Sequence, residues 1–167
     1  MKHTLLNTIL LLFVAVLMSC GSSDCPLTNT VMQKVGFYNF DGSQLTVDDT
    51  LTVMVSDSVI LNRLTGGTSV RLPVSYSAPA DTLVFCFTPT GATMPATDTI
   101  VINKTNTPHF VSLDCARSMF HTITAVSWSR RSPNETYAYA IDSVALINPE
   151  VNYDEKENLQ IYFSVYH

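Results

Sequence analysis

Basic side chains are scarce in this chain of 167 residues. Lysine and arginine together number 9 against 14 aspartates and glutamates, so the net charge is −5 at pH 7. Binding to nucleic acid needs a basic patch that neutralises phosphates, and so few cations do not supply one. The composition therefore predicts no nucleic-acid partner. It also disfavours contact between the folded domain and anionic lipid headgroups.

Strong helix formers are scarce as well. Alanine, glutamate, lysine and arginine are thin, whereas threonine, serine, valine and aromatic residues are abundant, which is the composition of strands. Short alternating apolar segments recur about 8–15 residues apart and are separated by turn-forming residues. This pattern predicts an all-β fold, namely an antiparallel β-sandwich of about ten short strands, immunoglobulin-like or jelly-roll-like.

The last strand has the clearest pattern. Within residues 159–165, Leu159, Ile161 and Phe163 alternate with more polar neighbours, so we expect them in the core. Tyr162 should then lie on the opposite face of the sheet.

Two prolines constrain the middle of the chain. Pro73 interrupts an alternating segment, which predicts an edge strand or a bulge because proline has no N–H to donate. Residues 109–113 follow Pro108 and are largely apolar, so they are predicted to form a strand separate from the one at 99–103.

Recognisable catalytic motifs are absent from the sequence. It contains no nucleophile elbow, no glycine-rich phosphate loop and no histidine spaced usefully from a carboxylate. We therefore expect no catalytic residue and no cofactor, and we do not expect an enzyme.

Two groups of residues contain metal-binding side chains without the spacing of a known site. His109, Cys115 and His121 stand six apart, but zinc needs ligands that converge within about 2.0–2.3 Å of the ion. The acidic segment 148–158 is rich in oxygen ligands suited to calcium, yet it lacks the order of a calcium loop and is typical of a solvated turn. No metal site is predicted, although the sequence leaves calcium at 148–158 open.

Six aromatic side chains in the second half of the chain offer a second binding interpretation. Aromatic faces on a sheet can stack against sugars, although tyrosines on strands more often pack at the rim of a core. The six residues are Trp128, Tyr137, Tyr139, Tyr153, Tyr162 and Tyr166.

The N-terminus has the pattern of a secretory signal. Lys2 and His3 precede an apolar run over residues 5–18, which is shorter than the roughly 20 residues of a membrane-spanning helix. Residues 17–20, Leu-Met-Ser-Cys, resemble a bacterial lipobox. An ordinary signal peptide followed by a chance cysteine is the alternative.

The lipobox resemblance implies cleavage before Cys20 and acylation of that residue, on its sulfur and on its new amine. The chain would then consist of a signal peptide (1–19), a lipidated tether (20–29) and a single β-sandwich domain (30–167). Loss of the signal removes Lys2 and leaves 148 residues with 8 basic and 14 acidic side chains, a net charge of −6. Several acyl chains anchor a protein stably, so the expected partner is a membrane and the expected location is the outer membrane of the cell envelope.

Three cysteines remain beyond Cys20. In an oxidising compartment they predict one disulfide and one free thiol. We expect a disulfide between Cys25 and Cys115, because both stand at the ends of predicted elements, where two segments can approach. Cys86 lies within the apolar segment 83–87, where it can serve as a small buried side chain. A disulfide between Cys86 and Cys115 is the alternative, and it would leave the tether free.

Three short motifs carry a family resemblance. They are Cys25-Pro26, the segment 111–115 (VSLDC) and the segment 141–144 (IDSV). Together they resemble a Bacteroidetes family of small secreted lipoproteins of uncharacterised function, with a signal peptide, a tether and a β-rich domain. The resemblance implies a location and a fold, and it implies no reaction.

A second resemblance concerns modification. Five sites match the Asp-Ser/Thr-apolar sequon that such bacteria use for O-glycosylation in the periplasm. A structural explanation also exists, because aspartate often ends a turn before serine or threonine opens an apolar strand. The five candidate acceptors are Thr50, Ser58, Thr82, Thr99 and Ser143.

Taken together, these features predict a lipid-anchored β-sandwich of the cell envelope with a binding or structural role. An envelope protein or a glycan is the expected partner of the folded domain. The alternative is a glycan-binding accessory lipoprotein, which an exposed aromatic platform would favour.

Overall fold

The computed structural model describes Cys25 and residues 29–166. Within this part of the chain there are ten strands and no helix, and the strands form two sheets that share one core. The prediction of an all-β sandwich of about ten strands is confirmed. The predicted signal peptide, Cys20 and most of the tether lie outside the described residues.

The strands differ in length from two to fourteen residues. In chain order they are β1 (Met32–Asn39), β2 (Thr50–Val55), β3 (Ser58–Leu64), β4 (Ser69–Pro73), β5 (Ala80–Thr88), β6 (Ala96–His109), β7 (Ser118–Trp128), β8 (Tyr139–Leu146), β9 (Glu150–Val151) and β10 (Glu157–Val165).

One sheet has four strands in the order β4-β1-β10-β8, and the other has six in the order β3-β2-β5-β6-β7-β9. Every neighbouring pair is antiparallel except β1 and β10, which run parallel. Their register places Tyr38 beside Tyr162 and Phe37 beside Ile161. Pro73 ends β4 at the edge of its sheet, as predicted for a residue without an N–H.

The core lies between the sheets and follows the two-residue period of the strands. Leu159, Ile161 and Phe163 are buried, so the register predicted for the last strand is confirmed. The Phe163 ring packs edge-on against Phe37 and against Phe87 of the other sheet, with centroids 5.7 Å apart in both pairs. Burial of a side chain of this size contributes roughly 1.5–3 kcal/mol to stability.

The prediction of separate strands at 99–103 and 109–113 is wrong. β6 runs without a break from Ala96 to His109 and passes through Pro108. It pairs with β7 as far as His109, which lies opposite Ser118, and the chain must reverse direction between these two residues. Residues 110–117 therefore form the connecting loop, and their apolar side chains do not lie in a sheet.

β1 gives the sandwich two distinguishable ends. The chain reaches Met32 from the predicted tether, so we call this the tether end, and the end near Asn39 the distal end. At about 3.3 Å per residue, the eight residues of β1 separate the two ends by roughly 25 Å. The loop 110–117 lies at the tether end, where Asn29 Nδ2 donates a hydrogen bond to Arg117 O over 3.4 Å.

Candidate functional site

Two tyrosines lie side by side on the outer face of the four-stranded sheet. Tyr38 of β1 and Tyr162 of β10 occupy paired positions in the parallel register. Their ring centroids are 5.8 Å apart, and the ring planes are inclined by 36°. Both side chains are half-buried. We call this pair the tyrosine platform.

Gly36 makes room for the platform. A Cβ atom at this position would lie 2.4 Å from Glu157 Oε2 and 2.7 Å from Tyr38 Cε2, which real atoms do not tolerate. A larger residue at this position would therefore displace the Tyr38 ring and the Glu157 carboxylate from where they lie. The ring also covers backbone that glycine leaves bare, as aromatic residues do beside glycines in other sheets.

A hydrogen-bond network fixes the polar groups beside the rings. The Tyr38 hydroxyl donates to Glu157 Oε1 over 3.0 Å, and Gln160 Nε2 donates to the same oxygen over 2.7 Å. The Tyr162 hydroxyl donates to Gln160 Oε1 over 2.8 Å. Burial, together with the hydrogen bond to Glu157, raises the pKa of Tyr38, so its phenol stays neutral and remains a donor.

Two open grooves continue the platform toward the distal end. They share Ser164, which is two residues beyond Tyr162 on β10. The first has a volume of about 570 Å³ and is lined by Asn39, Phe40, Asp41, Phe163, Ser164 and Val165. The second has a volume of about 220 Å³ and is lined by Arg130, Arg131, Ser132, Pro133, Ile141, Asp142 and Ser164.

This arrangement suits a flat ligand with one apolar face and a polar edge. Aromatic faces pack against C–H groups, whereas a carboxylate and an amide together accept and donate hydrogen bonds at the ligand's edge. The platform joins residues 36–38 to residues 157–162, which are far apart in sequence. Sequence analysis included Tyr162 and missed Tyr38 and Gly36, because nothing in the sequence indicates that the first and last strands pair in parallel.

Three of the other predicted aromatic residues have their contacts elsewhere in the molecule. Tyr139 is buried in the core, where its ring packs edge-on against Phe163. Trp128 Nε1 donates a hydrogen bond to Asp142 O over 2.8 Å. The Tyr153 ring packs edge-on against Phe120 with centroids 5.1 Å apart. Tyr139, Trp128 and Tyr153 therefore serve parts of the molecule other than the platform.

The three residues considered for zinc have separate roles. Cys115 is bonded to Cys25 and is not a free thiolate. His109 stacks on Phe120 with ring centroids 4.1 Å apart. His121 is buried, and its Nδ1 donates a hydrogen bond to Asn106 Oδ1 over 2.7 Å. Burial, followed by the charge of Lys104, lowers the pKa of His121 to about 4.

Side chains of the acidic segment 148–158 form hydrogen bonds with the backbone of the segment itself. Asn158 is buried, donates to Asn148 O and Glu150 O, and accepts a hydrogen bond from Lys34 N over 3.0 Å. Asn152 Oδ1 accepts a hydrogen bond from Asp154 N over 2.8 Å. Across Cys25 and residues 29–166, no three His, Cys, Asp or Glu side chains are grouped so that they could hold a metal ion.

The cysteines adopt the predicted pairing. Cys25 and Cys115 form a disulfide with Cα atoms 5.4 Å apart, and this disulfide fastens the predicted tether to the loop 110–117. Cys86 is a free, buried thiol on β5, and burial raises its pKa. The disulfide between Cys86 and Cys115 that we considered as an alternative is therefore not the one present.

The five candidate glycosylation sites differ in accessibility. Ser58, next to the turn between β2 and β3, and Thr82 are exposed. Two of the aspartates that precede an acceptor in its sequon have structural roles, since Asp81 and Asp98 are buried in ion pairs. The half-buried acceptors are Thr50, Thr99 and Ser143.

The fold defines the chain as a small all-β sandwich with one outer sheet face that carries an ordered aromatic and polar surface. The chain belongs to the family of unknown function DUF6452, whose model matches residues 44–163. The matched region contains Glu157, Gln160 and Tyr162, whereas β1, with Gly36 and Tyr38, precedes it.

No curated protein and no solved structure matches the chain. In the described part of the chain, no helix is long and apolar enough to cross a membrane.

Proposed function

We propose that this chain is a lipid-anchored binding component of the cell envelope and that it binds a saccharide on the tyrosine platform. The observation that carries the proposal is the placement of Tyr38 and Tyr162 side by side, with Glu157 and Gln160 held beside them by hydrogen bonds. No catalytic step is assigned to this surface.

The anchoring part of the proposal rests on residues 17–20, which resemble a lipobox. Acylation of Cys20 would attach the mature chain to the outer membrane. The disulfide between Cys25 and Cys115 supports an oxidising location such as the cell envelope, because disulfides are rare in reducing compartments.

The saccharide part of the proposal follows from the chemistry of the platform. A sugar ring has an apolar face of C–H groups that can pack on aromatic rings, and its hydroxyls can reach a carboxylate and an amide. The neighbouring grooves are open, whereas an apolar small molecule would favour an enclosed pocket. The net charge of −6 on the mature chain disfavours nucleic acid.

The two exposed sequons fit within the same proposal. Ser58 and Thr82 are the most accessible candidate acceptors for O-glycosylation. Mass spectrometry of glycopeptides from the native protein should find glycan at these positions before the three half-buried ones.

Lipid attachment is tested by metabolic labelling with a clickable fatty acid. Labelling of the natural chain and its loss in Cys20→Ser is the expected result, because the acylated residue is then missing. Equal labelling of both proteins would contradict the anchor.

Saccharide binding is tested on a glycan array, followed by titration of the selected oligosaccharide into the detergent-solubilised protein. Tyr38→Ala and Tyr162→Ala should each weaken binding on the order of tenfold, or about 1.4 kcal/mol, because each removes one stacking face. Tyr76→Ala is the matched control, since Tyr76 is an exposed tyrosine outside the platform.

Thermal melts of the same variants separate binding from folding. Binding that falls in Tyr38→Ala and Tyr162→Ala, while both proteins remain folded, supports the proposal. Absence of any array signal, or equal binding by all three variants, would show that the rings serve only to cover Gly36 and reinforce the sheet.

A further inference from the structure

The loop between β6 and β7 exposes three large apolar side chains at the tether end. Phe110 is 60% exposed, Val111 48% and Leu113 102%. Three such residues within four positions form an apolar projection, and the largest exposed apolar patch of a monomeric domain often has a function. We call Phe110, Val111 and Leu113 the apolar tip.

The loop that carries the tip is attached at several points. The disulfide from Cys25 holds Cys115, and Asn29 donates a hydrogen bond to Arg117 O. Cys115 N donates to Ser112 O over 3.4 Å, which closes a turn around Leu113. The apolar side chains thus project from a braced loop.

The base of the loop is braced by aromatic packing. His109, the last residue of β6, stacks on Phe120 of β7, and the Phe120 ring packs edge-on against Tyr153. The two strands that bear the loop are therefore held together up to the point where the tip begins.

Covalent geometry places the tip close to Cys20. Four residues lie between Cys20 and Cys25. The five steps from one Cα atom to the next span at most about 3.6 Å each in an extended chain, or roughly 18 Å in total. The Cα atoms of Cys25 and Cys115 are 5.4 Å apart, and Leu113 stands two residues from Cys115. The tip therefore lies within roughly 30 Å of the residue that would carry the acyl chains.

We propose that the apolar tip inserts into the headgroup region of the lipid surface that holds the acylated N-terminus. The proposal rests on the acylation of Cys20 proposed above. Phe110, Val111 and Leu113 would lose contact with water, as apolar residues of interfacial segments do. The Arg117 guanidinium lies 5.9 Å from the centroid of the Phe110 ring, where it can reach lipid phosphates.

A lipid surface suits the tip better than a second copy of the chain. A specific protein interface buries at least about 1,000 Å², and three side chains on one loop offer roughly a few hundred. A lipid surface needs no such area, because the acyl chains already hold the domain next to it. We expect the tip to insert into zwitterionic lipid, because the acidic mature chain would be repelled by an anionic lipid surface.

Insertion of the tip would also orient the domain. The tip lies at the tether end, whereas the grooves beside the tyrosine platform lie at the distal end, roughly 25 Å away along β1. The platform would then face away from the membrane and toward soluble or wall-bound ligands.

The test replaces Phe110 with the photoreactive p-benzoylphenylalanine in the full lipidated protein, reconstituted in vesicles of phosphatidylcholine and phosphatidylethanolamine. The matched control carries the same replacement at Phe40, an exposed phenylalanine at the distal end. After irradiation, lipid adducts should be several-fold more abundant at position 110 than at position 40. Leu113 provides a second reporter site if the Phe110 variant does not fold.

Adducts at equal levels, no adduct at position 110, or a crosslinked dimer of the chain would overturn the proposal. The mass of the N-terminal peptide, measured in the same sample, shows whether Cys20 is acylated. If Cys20 is not acylated, the proposed lipid anchor is wrong, independently of the apolar tip. Insertion of the tip is then tested with the same protein added to vesicles from solution. Adducts at position 110 would then support insertion, and their absence would overturn it.

Discussion

Each end of the sandwich contains a buried ion pair, and the two pairs differ in where the cation comes from. β6 places one charged residue inward near each end, Lys104 at the tether end and Asp98 at the distal end. Lys104 Nζ lies 3.7 Å from Asp81 Oδ2, and Arg131 Nη2 lies 3.1 Å from Asp98 Oδ2. The buried cation comes from a core strand at one end, whereas the cation at the other end comes from a loop.

At the tether end, the ion pair between Lys104 and Asp81 is enclosed. Lys104 Nζ donates to Ser75 O over 2.9 Å, to Asn106 Oδ1 over 3.0 Å and to Ala78 O. Its side chain has no exposure, and burial lowers its pKa while Asp81 opposes the shift. The pair therefore offers almost no charged surface to a ligand, since the two side chains are 0% and 4% exposed.

At the distal end, the pair reaches the solvent. The Arg131 side chain is 24% exposed and binds Asp98 through two nitrogens, and Ile141 N donates to the same carboxylate over 3.1 Å. Arg131 also lines one of the grooves beside the tyrosine platform. The two ion pairs therefore differ in their access to solvent, since the Lys104 side chain is fully buried and the Arg131 side chain is not.

Removal of the buried lysine should have the largest effect. Lys104→Met leaves the Asp81 carboxylate buried without its counter-charge, which typically costs about 3–5 kcal/mol of unfolding free energy. Denaturant melts provide the measurement. The double variant Lys104→Met/Asp81→Leu should recover most of the loss. A single variant as stable as the natural chain would refute the enclosed pair.

Acidification should weaken the tether end next. The pKa of His121 is about 4 in the folded chain and 6.5 in the ordinary, unfolded state. The unfolded chain therefore binds the proton first as pH falls. The unfolding free energy should be fully retained above pH 6.5 and should decline toward pH 4 by at most about 3 kcal/mol.

The control for this pH dependence is His121→Asn, which keeps a donor near Asn106 but does not titrate. Its unfolding free energy, followed by denaturant melts from pH 7 to pH 4, should vary less than that of the natural chain. Identical pH profiles for the two proteins would contradict the assignment to His121.

Loss of the distal cation should cost less than loss of Lys104. Arg131→Met leaves the buried Asp98 carboxylate with the hydrogen bond from Ile141 N, and only the partly exposed arginine side chain separates it from solvent, so we expect a loss of about 2 kcal/mol. The comparison with Lys104→Met in the same denaturant series is the measurement. A loss equal to or larger than that of Lys104→Met would remove the distinction between the two ends.

The smallest effect is expected at the platform. Tyr38→Phe removes one donor to Glu157, but Gln160 still donates to the same oxygen. Because the site is half-buried, water can replace the hydroxyl, and the unfolding free energy should fall by only about 0.5–1 kcal/mol. A loss above that of Arg131→Met would mean that the network mainly holds the sheet together.

Features that depend on local pattern could be predicted from the sequence. The alternation at 159–165 was enough to place Leu159, Ile161 and Phe163 in the core, because a strand with one buried face has a fixed register. The pairing of Cys25 with Cys115 followed from the position of both residues at the ends of elements.

Features that depend on distant pairing could not be predicted. Lys104 and Asp98 alternate with Ile100 and Ile102 on the inward face of β6, where a charge is acceptable only with a buried partner from elsewhere. The platform likewise requires the parallel pairing of β1 with β10, which no local signal indicates. The apolar pattern of residues 110–113 predicts a strand, although these residues lie in a loop from which their apolar side chains project.

Hydrogen–deuterium exchange of the lipidated protein in vesicles tests most directly whether the two ends have different partners. Exchange is measured with and without the oligosaccharide that the array selects. Attachment to vesicles should slow the exchange of backbone amides in residues 110–117. Binding of the oligosaccharide should slow the exchange of backbone amides in residues 36–39 and 160–164. Protection by both at the same end, or protection of residues 130–135 by vesicles, would contradict the account.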